Sequence, residues 1–236
     1  GVPDDRLAGE LLRDAVRDAW VPVLAARRSP SAGGGALDET APLGVHTSLF
    51  PGASWAAGSR NYPSGTGVAL RVGLDYRLRR TLVASAESGV ETYYDPSADL
   101  VGRGGAALNP DASSTAARRT SIPLEASVRW YPRLAVWAPF AFAGAGVRYE
   151  RIRWIEGMAD SSVTDASGFG ASAFGGAGVE RVLGLRDGIL IEARAATGAA
   201  AFAPTSARSG GAQASIRVDP GVHGTVALGV SWLRVF

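Results

Sequence analysis

Between residues 67 and 94 apolar and polar positions alternate twice, on either side of a very short interruption. In GVALRVGLDYRL, Val68, Leu70, Val72, Leu74, Tyr76 and Leu78 share one parity, and Ala69, Arg71, Gly73, Asp75 and Arg77 the other. Side chains of a strand point alternately to its two faces, so one face is apolar and the other carries charge. After Arg79 and Arg80 the pattern resumes, with Leu82, Ala84, Ala86 and Val90 on the apolar face and Ser85, Glu87, Gly89 and Glu91 on the other. The stretch predicts a long β-hairpin. A three- or five-residue loop aligns its apolar faces and leaves Arg71 opposite Glu87 or one diagonal step away.

Soluble sheets usually use strands of about five or six residues, whereas a tilted strand crossing a bilayer needs roughly nine to eleven. The length of these two favours the second setting, with the apolar face toward lipid and the charged face lining a barrel interior.

The same alternation recurs along the chain. A weaker version over residues 44–58, interrupted by Pro51 and Gly52, sets Val45, Leu49, Ala53 and Trp55 against His46, Ser48, Phe50 and Ser54. A fourth strand sets Ile122, Leu124, Ala126, Val128 and Trp130 against Glu125, Ser127, Arg129 and Tyr131, and Pro132 ends it. The fifth, residues 136–153, opposes Trp137, Ala141, Ala143, Ala145, Val147 and Tyr149 to Phe140, Phe142, Gly144, Gly146, Arg148 and Glu150. In the sixth, residues 168–182, Phe169, Ala171, Ala173, Ala177 and Val179 oppose Ser172, Phe174, Gly176, Gly178 and Glu180. The seventh opposes Ile189, Ile191, Ala193 and Ala195 to Glu192 and Arg194, and the last opposes Val226, Leu228, Val230, Trp232 and Phe236 to Thr225, Ala227, Gly229 and Ser231. Residues 95–119, 156–167 and 203–220 read as long polar loops alternating with short turns near Arg79, Arg133 and Leu185. Eight strands with short turns at one end and long loops at the other are the pattern of an up-and-down transmembrane barrel, which places both termini in the periplasm.

Two further patterns agree. The apolar-face aromatics gather near strand ends: Tyr76, Trp130, Trp137, Trp232 and Phe236 toward the short turns, Tyr94, Tyr149 and Phe169 toward the long loops. From Trp137 to Tyr149 is roughly 30 Å along the membrane normal at about 3.3 Å per residue and a tilt near 40°. That spacing predicts two interfacial girdles. Charges on the apolar face reduce to Arg151, Arg181 and Arg234, all near strand ends. The opposite face carries Arg71, Asp75, Arg77, Glu87, Glu91, Glu125, Arg129, Arg148, Glu150, Glu180, Glu192 and Arg194. An eight-stranded barrel is only wide enough for side chains to fill, so these groups are expected to interlock as an ionic network rather than line a pore.

Upstream, Leu7, Leu11, Leu12, Val16 and Trp20 fall at helical spacings and predict an amphipathic helix ended by Pro22. The expected organisation is a periplasmic helix in residues 1–28, a linker in 29–43 and a barrel in 44–236. The helix stripe is a candidate docking surface for a protein partner or a second copy.

Composition narrows the chemistry. Of 236 residues 46% are apolar, which excludes wholesale disorder, and no apolar run is long enough for a membrane helix. The start at Gly1 fits a mature secreted chain whose signal peptide has been removed. All cations are Arg, and a net charge of +2 without clustering argues against a nucleic-acid partner. No cysteine and only two histidines, His46 and His223, leave little for a metal or catalytic constellation, so no cofactor is expected. GAGV at 144–147 and GFGASAFGGAG at 168–178 do not complete a phosphate-binding fingerprint and read as room for Phe140, Phe142 and Phe174.

The chain ends GVSWLRVF, apolar at alternate positions up to the terminal Phe236. This resembles the last strand of bacterial outer-membrane β-barrels, where such an ending is read by the barrel-assembly machinery. PFAFAGAGVRYE, residues 139–150, is similar to the Pro-aromatic, Gly-x-Gly strand of small eight-stranded barrels related to outer-membrane proteins A, X and W. The resemblance covers residues 44–236 and implies an all-β, eight-stranded antiparallel barrel in the outer membrane, contacting its lipid and lipopolysaccharide. Arg234 stands where that family has an apolar residue, and the amphipathic helix has no counterpart there. His223-Gly224-Thr225 looks distantly like the His-x-Ser of outer-membrane lipid A deacylases, with Thr in place of Ser and no carboxylate following. The expected function is that of a non-enzymatic anchor or assembly subunit acting through external loops and the helix. The alternatives are a narrow conduit for small hydrophobic molecules, a lipid A-modifying barrel enzyme and a soluble β-barrel.

Overall fold

The computed structural model describes residues 43–57, 59, 61–98, 115–134, 136–156, 162–183, 187–209 and 212–236. The sequence-predicted helix over 1–28 and the linker after it lie outside these residues. Ten strands are formed: β1 (Leu43–Ala57), β2 (Gly65–Arg79), β3 (Leu82–Asp95), β4 (Thr115–Trp130), β5 (Trp137–Glu156), β6 (Ser162–Val182), β7 (Asp187–Phe202), β8 (Thr205–Ser209), β9 (Ala212–Ile216) and β10 (Val222–Val235). β1 to β7 and β10 close into an antiparallel barrel in the order β1-β10-β7-β6-β5-β4-β3-β2, while β8 and β9 form a separate hairpin. The barrel is therefore a meander of consecutive neighbours, sealed where β1 meets β10.

Alternation sets the two faces. Leu70, Val72, Leu74, Leu124, Ile191, Leu228 and Val230 point outward and are each about half exposed or more, whereas Arg71, Asp75, Glu87, Glu125 and Arg194 point inward and are buried. This is the inverse of a water-soluble barrel. Closure leaves no unpaired edge, so the backbone is satisfied within the wall and an apolar exterior suits lipid. No helix among the described residues is long and apolar enough to cross a membrane.

Local departures from the sequence expectation have identifiable causes. The β2–β3 connection is a two-residue turn, Arg80 and Thr81, shorter than the expected three or five, because a register shift between Arg77 and Arg79 takes up Leu78. β5 and β6 run on to Glu156 and from Ser162, through part of the stretch read as a polar loop. Pairing with a neighbour sustains a ribbon there even though its outward face is polar. The expected loop after β7 also contains the β8–β9 hairpin, held beside β6 where the Thr205 hydroxyl donates to the Asp165 carbonyl at 2.9 Å.

Of the three prolines inside barrel strands, Pro51 and Pro123 sit where one ladder is interrupted. Pro51 pairs with Val68 of β2, but pairing with β10 skips from Leu49 to Gly52. Pro123 pairs with Arg148 of β5, and pairing with β3 skips between Ser121 and Leu124. A residue without an N–H belongs at such gaps. The hydroxyl of Ser88 donates to the freed carbonyl of Pro123 at 2.8 Å.

The interior is packed at both ends. Toward the short turns, Tyr131, Phe140, Phe142 and Phe174 form a chain of tilted rings with successive centroids 5.6, 6.1 and 6.4 Å apart. They are joined by Val83, Leu190 and Leu233. Glycines make the room: a Cβ at Gly176 would lie 2.7 Å from the tip of Phe142, and one at Gly178 2.6 Å from that of Phe140. At the opposite end a second cluster joins Tyr62, Ala98, Ala117, Ile152, Trp154, Ala166, Ile216 and Val218. Tyr62, Ala98 and Val218 come from connections between strands, so these connections fold inward over the mouth.

Candidate functional site

The middle of the lumen is built around Arg71. Its Cα partner on β3 is Gly89, so Glu87 and Glu91 flank it two residues to either side, the diagonal placement. The guanidinium meets Glu87 at 3.4 Å and also bonds Glu91 and, across β3, Glu125 of β4. From the far wall Arg194 of β7 reaches Glu87 at 3.3 Å and bonds Glu125. Arg148 of β5 adds contacts of 3.7 Å to Glu125 and to Glu150. Glu125 thus ties β2, β5 and β7 to β4 across a lumen that side chains fill.

A second knot lies toward the short turns. Asp75 accepts from the Ser85 hydroxyl and lies 3.4 Å from Arg129 and 3.2 Å from His46 Nδ1. The other ring nitrogen of His46 is 3.7 Å from Glu87, which joins the two knots. Glu180 accepts a 2.6 Å bond from the Tyr131 hydroxyl, and Arg129 donates to that same oxygen at 3.3 Å. Glu192 is buried on the same inward face, two residues before Arg194 on β7. Arg77 is only half-buried and, with Asp75, Arg129 and Glu180, lines a cavity of about 20 Å³. Such a space holds a water molecule but not a solute.

Arg119 belongs to this interior too, although the polar stretch containing it shows no alternation in sequence. β4 begins at Thr115, which turns Arg119 inward to 1% exposure. Its guanidinium lies between the rings of Tyr93 and Tyr62, 4.7 and 4.9 Å from their centroids. It donates to the Tyr62 hydroxyl, which in turn donates to Glu150 at 3.0 Å. Burial pushes the Tyr62 phenol well above its usual pKa, so it remains a proton donor. Asn61, at φ 58°, turns the chain into this position and donates to the Arg217 carbonyl at 3.0 Å. Asparagine is among the few residues that tolerate that backbone region. A polar loop folded inward leaves no periodic signal, and a Tyr followed by Pro was the only hint.

On the exterior, Tyr76, Trp130, Trp137, Trp232 and Phe236 lie exposed toward the short turns. Tyr94 and Phe169 lie exposed near the other rim, with Tyr149 half-buried and its ring 5.3 Å from that of Phe169. Trp55, opposite Gly224, adds an exposed indole at that rim. Arg181 stacks over Trp137 at 4.8 Å, which gives an outward cation on a barrel strand an aromatic platform. Beyond Tyr149, Asp165 receives hydrogen bonds from Arg151 at 2.6 Å and from Arg153 at 3.1 Å. Partial burial acts to raise its pKa, but the two arginine bonds outweigh it and hold the carboxyl below the usual range.

His223 points into the barrel at 1% exposure, 4.8 Å from the Tyr62 ring, with neither ring nitrogen hydrogen-bonded. Thr225 also points inward. Among the described residues no carboxylate is hydrogen-bonded to the imidazole as a triad requires. Among the described residues no group of three or more His, Cys, Asp or Glu is placed to hold a metal ion.

No family model matches the chain, and no curated protein matches it in sequence. Solved structures do match its fold. A major outer membrane protein from Thermus thermophilus superposes with TM-score 0.51 and 13% identity, over 83% of this chain and all (100%) of that one. The outer membrane protein OprG from Pseudomonas aeruginosa gives 0.48 and 12%, over 82% and 96%. The attachment invasion locus protein Ail of Yersinia pestis gives 0.46 and 9%, over 82% and 98%. This chain, a closed eight-stranded antiparallel barrel that is apolar outside and ionic within, is thus similar in fold to the Thermus outer-membrane protein.

Proposed function

We propose that the protein is a non-enzymatic β-barrel of a bacterial outer membrane that serves as an anchor or interaction subunit, presenting the long connections between its strands outside the cell. One observation carries this reading: the exterior is a belt of exposed apolar side chains, while the lumen is occupied by ion pairs between two apolar clusters. The same filling argues against the conduit, because Phe140, Phe142 and Phe174 pack on one another and under Arg129 and Arg194 rather than around open space. Short turns at the end holding Leu43 and Phe236 support placing both termini in the periplasm, with Phe236 available to the assembly machinery.

The test is mobility on detergent gels. Unboiled protein should run as a compact species that boiling converts to a slower one, and planar bilayers containing it should show no conductance. Identical mobility, with solubility in the absence of detergent, would return the protein to the soluble barrels. Steady conductance would revive the conduit.

The amphipathic stripe Leu7, Leu11, Leu12, Val16 and Trp20 is proposed to dock a partner subunit or a second copy on the periplasmic side. Burying one such side chain contributes about 1.5–3 kcal/mol. Replacing Leu11 and Leu12 together by Asp should leave heat-modifiable mobility intact and remove any co-purifying partner. Loss of barrel stability with partners retained would instead assign the stripe to the barrel's own fold.

A further inference from the structure

Just beyond the outer aromatic rim, β4 and β5 carry three outward-facing arginines. Arg118 is paired with Tyr94 on one side and with Arg153 on the other, and Arg151 lies one outward position nearer to Tyr149. All three are exposed, Arg151 and Arg153 at 51% and 48% of their side-chain surface. Like charges directly opposite one another on adjacent strands destabilise a sheet. Here two guanidiniums are directly opposed, and the one described carboxylate on that face, Asp165, sits on the far side of Arg153 and serves Arg151 and Arg153. Arg118 has no share in it.

The flanking strands do not repeat the pattern: at this height β3 presents Thr92 and Tyr94 outward, and β6 presents Asp165 and Ser167. At the same rim β7 presents Thr197, Ala199 and Ala201 outward. The positive charge is therefore one-sided, and it is set against the barrel wall beside aromatic side chains rather than out in a loop. That height is where lipid headgroups meet the apolar belt. Guanidiniums match phosphate oxygens with paired, charge-assisted hydrogen bonds.

Resting on the outer-membrane reading above, we infer that Arg118, Arg151 and Arg153 form a binding site for the phosphorylated headgroup of an outer-leaflet lipid. The phosphate sits between Arg118 and Arg153, replacing their mutual repulsion with two attractions. The acyl chains lie down the belt past Tyr94 and Ile122.

The probe is diphosphoryl lipid A, with its dephosphorylated form as comparison, added to the full folded chain in nanodiscs and read by native mass spectrometry. The wild type should retain the phosphorylated lipid about tenfold more strongly than the dephosphorylated one. R118Q/R153Q should lose that preference, and R133Q, on the opposite rim, should keep it. Equal retention of the two lipids by the wild type, or an unchanged preference in R118Q/R153Q, would overturn the assignment. So would displacement of the arginines' ligand by a soluble sulfated oligosaccharide with no preference between the lipids, which would make the patch a polyanion site. The variants are exposed and should keep heat-modifiable mobility. Failure of the outer-membrane reading shows instead as loss of that mobility in the wild type, so the two failures are separable.

Discussion

Replacing Arg71 by Leu should lower the unfolding free energy of the barrel in vesicles by about 3–5 kcal/mol, the range for removing one partner of a buried ion pair. The reason is the number of carboxylates left behind. Glu87, Glu91 and Glu125 all meet this guanidinium, and each is 8% exposed or less. Arg194 reaches Glu87 and Glu125, but no bond from it reaches Glu91 among the described contacts. Urea unfolding followed by tryptophan fluorescence measures the loss. The triple replacement of Arg71, Glu91 and Glu125 by apolar residues of similar size should be less damaging than the single one, because it leaves fewer charges buried without partners. A loss below about 1 kcal/mol for Arg71→Leu would mean that water reaches the lumen and screens the carboxylates, contrary to a filled interior.

Leu228→Arg tests the outer face with an effect of similar size. Leu228 is 67% exposed and lies on β10 midway between Trp232, at the short-turn girdle, and Gly224, opposite Trp55 at the other rim. At that depth an arginine on the lipid face should destabilise the folded barrel by about 2–4 kcal/mol, falling to about 0–1 near either interface. The native Arg234, six residues further toward the short-turn end, is the internal control for the interface value. In a water-soluble barrel the same substitution at an exposed leucine would change stability by less than about 0.5 kcal/mol. Comparable unfolding of Leu228→Arg and wild type would therefore remove the lipid-facing assignment of β10.

The two experiments probe different sides of one wall, and their independence matters. The exterior depends mainly on its surroundings, since an apolar side chain pointing outward needs no specific partner. The interior depends on partners, since each charged group needs a specific opposite one.

That difference also explains how much was legible in the chain. Strict alternation determined which residues face which way, because a strand has only two faces and a slip of one residue would expose the whole charged set to lipid. Arg71, Glu87, Glu125 and Arg194 could therefore be placed in the lumen, and Tyr76, Trp130 and Trp232 on the belt, from the alternation alone. Strand length pointed to a bilayer, and the alternation of short and long connections indicated an up-and-down meander. What the sequence could not determine was which groups meet. Arg71 and Arg194 are far apart in the chain and share Glu87 and Glu125 only because the barrel closes with β7 across the lumen from β2, β3 and β4. The inward-folded mouth, with Tyr62 bridging Arg119 and Glu150, leaves no periodic trace because its residues come from connections that obey no two-residue rhythm. The opposition of Arg118 and Arg153 likewise exists only in the register between β4 and β5. Local periodicity is carried by consecutive residues and is readable from them, whereas closure and register are properties of contacts between distant strands, and only the tertiary structure decides those.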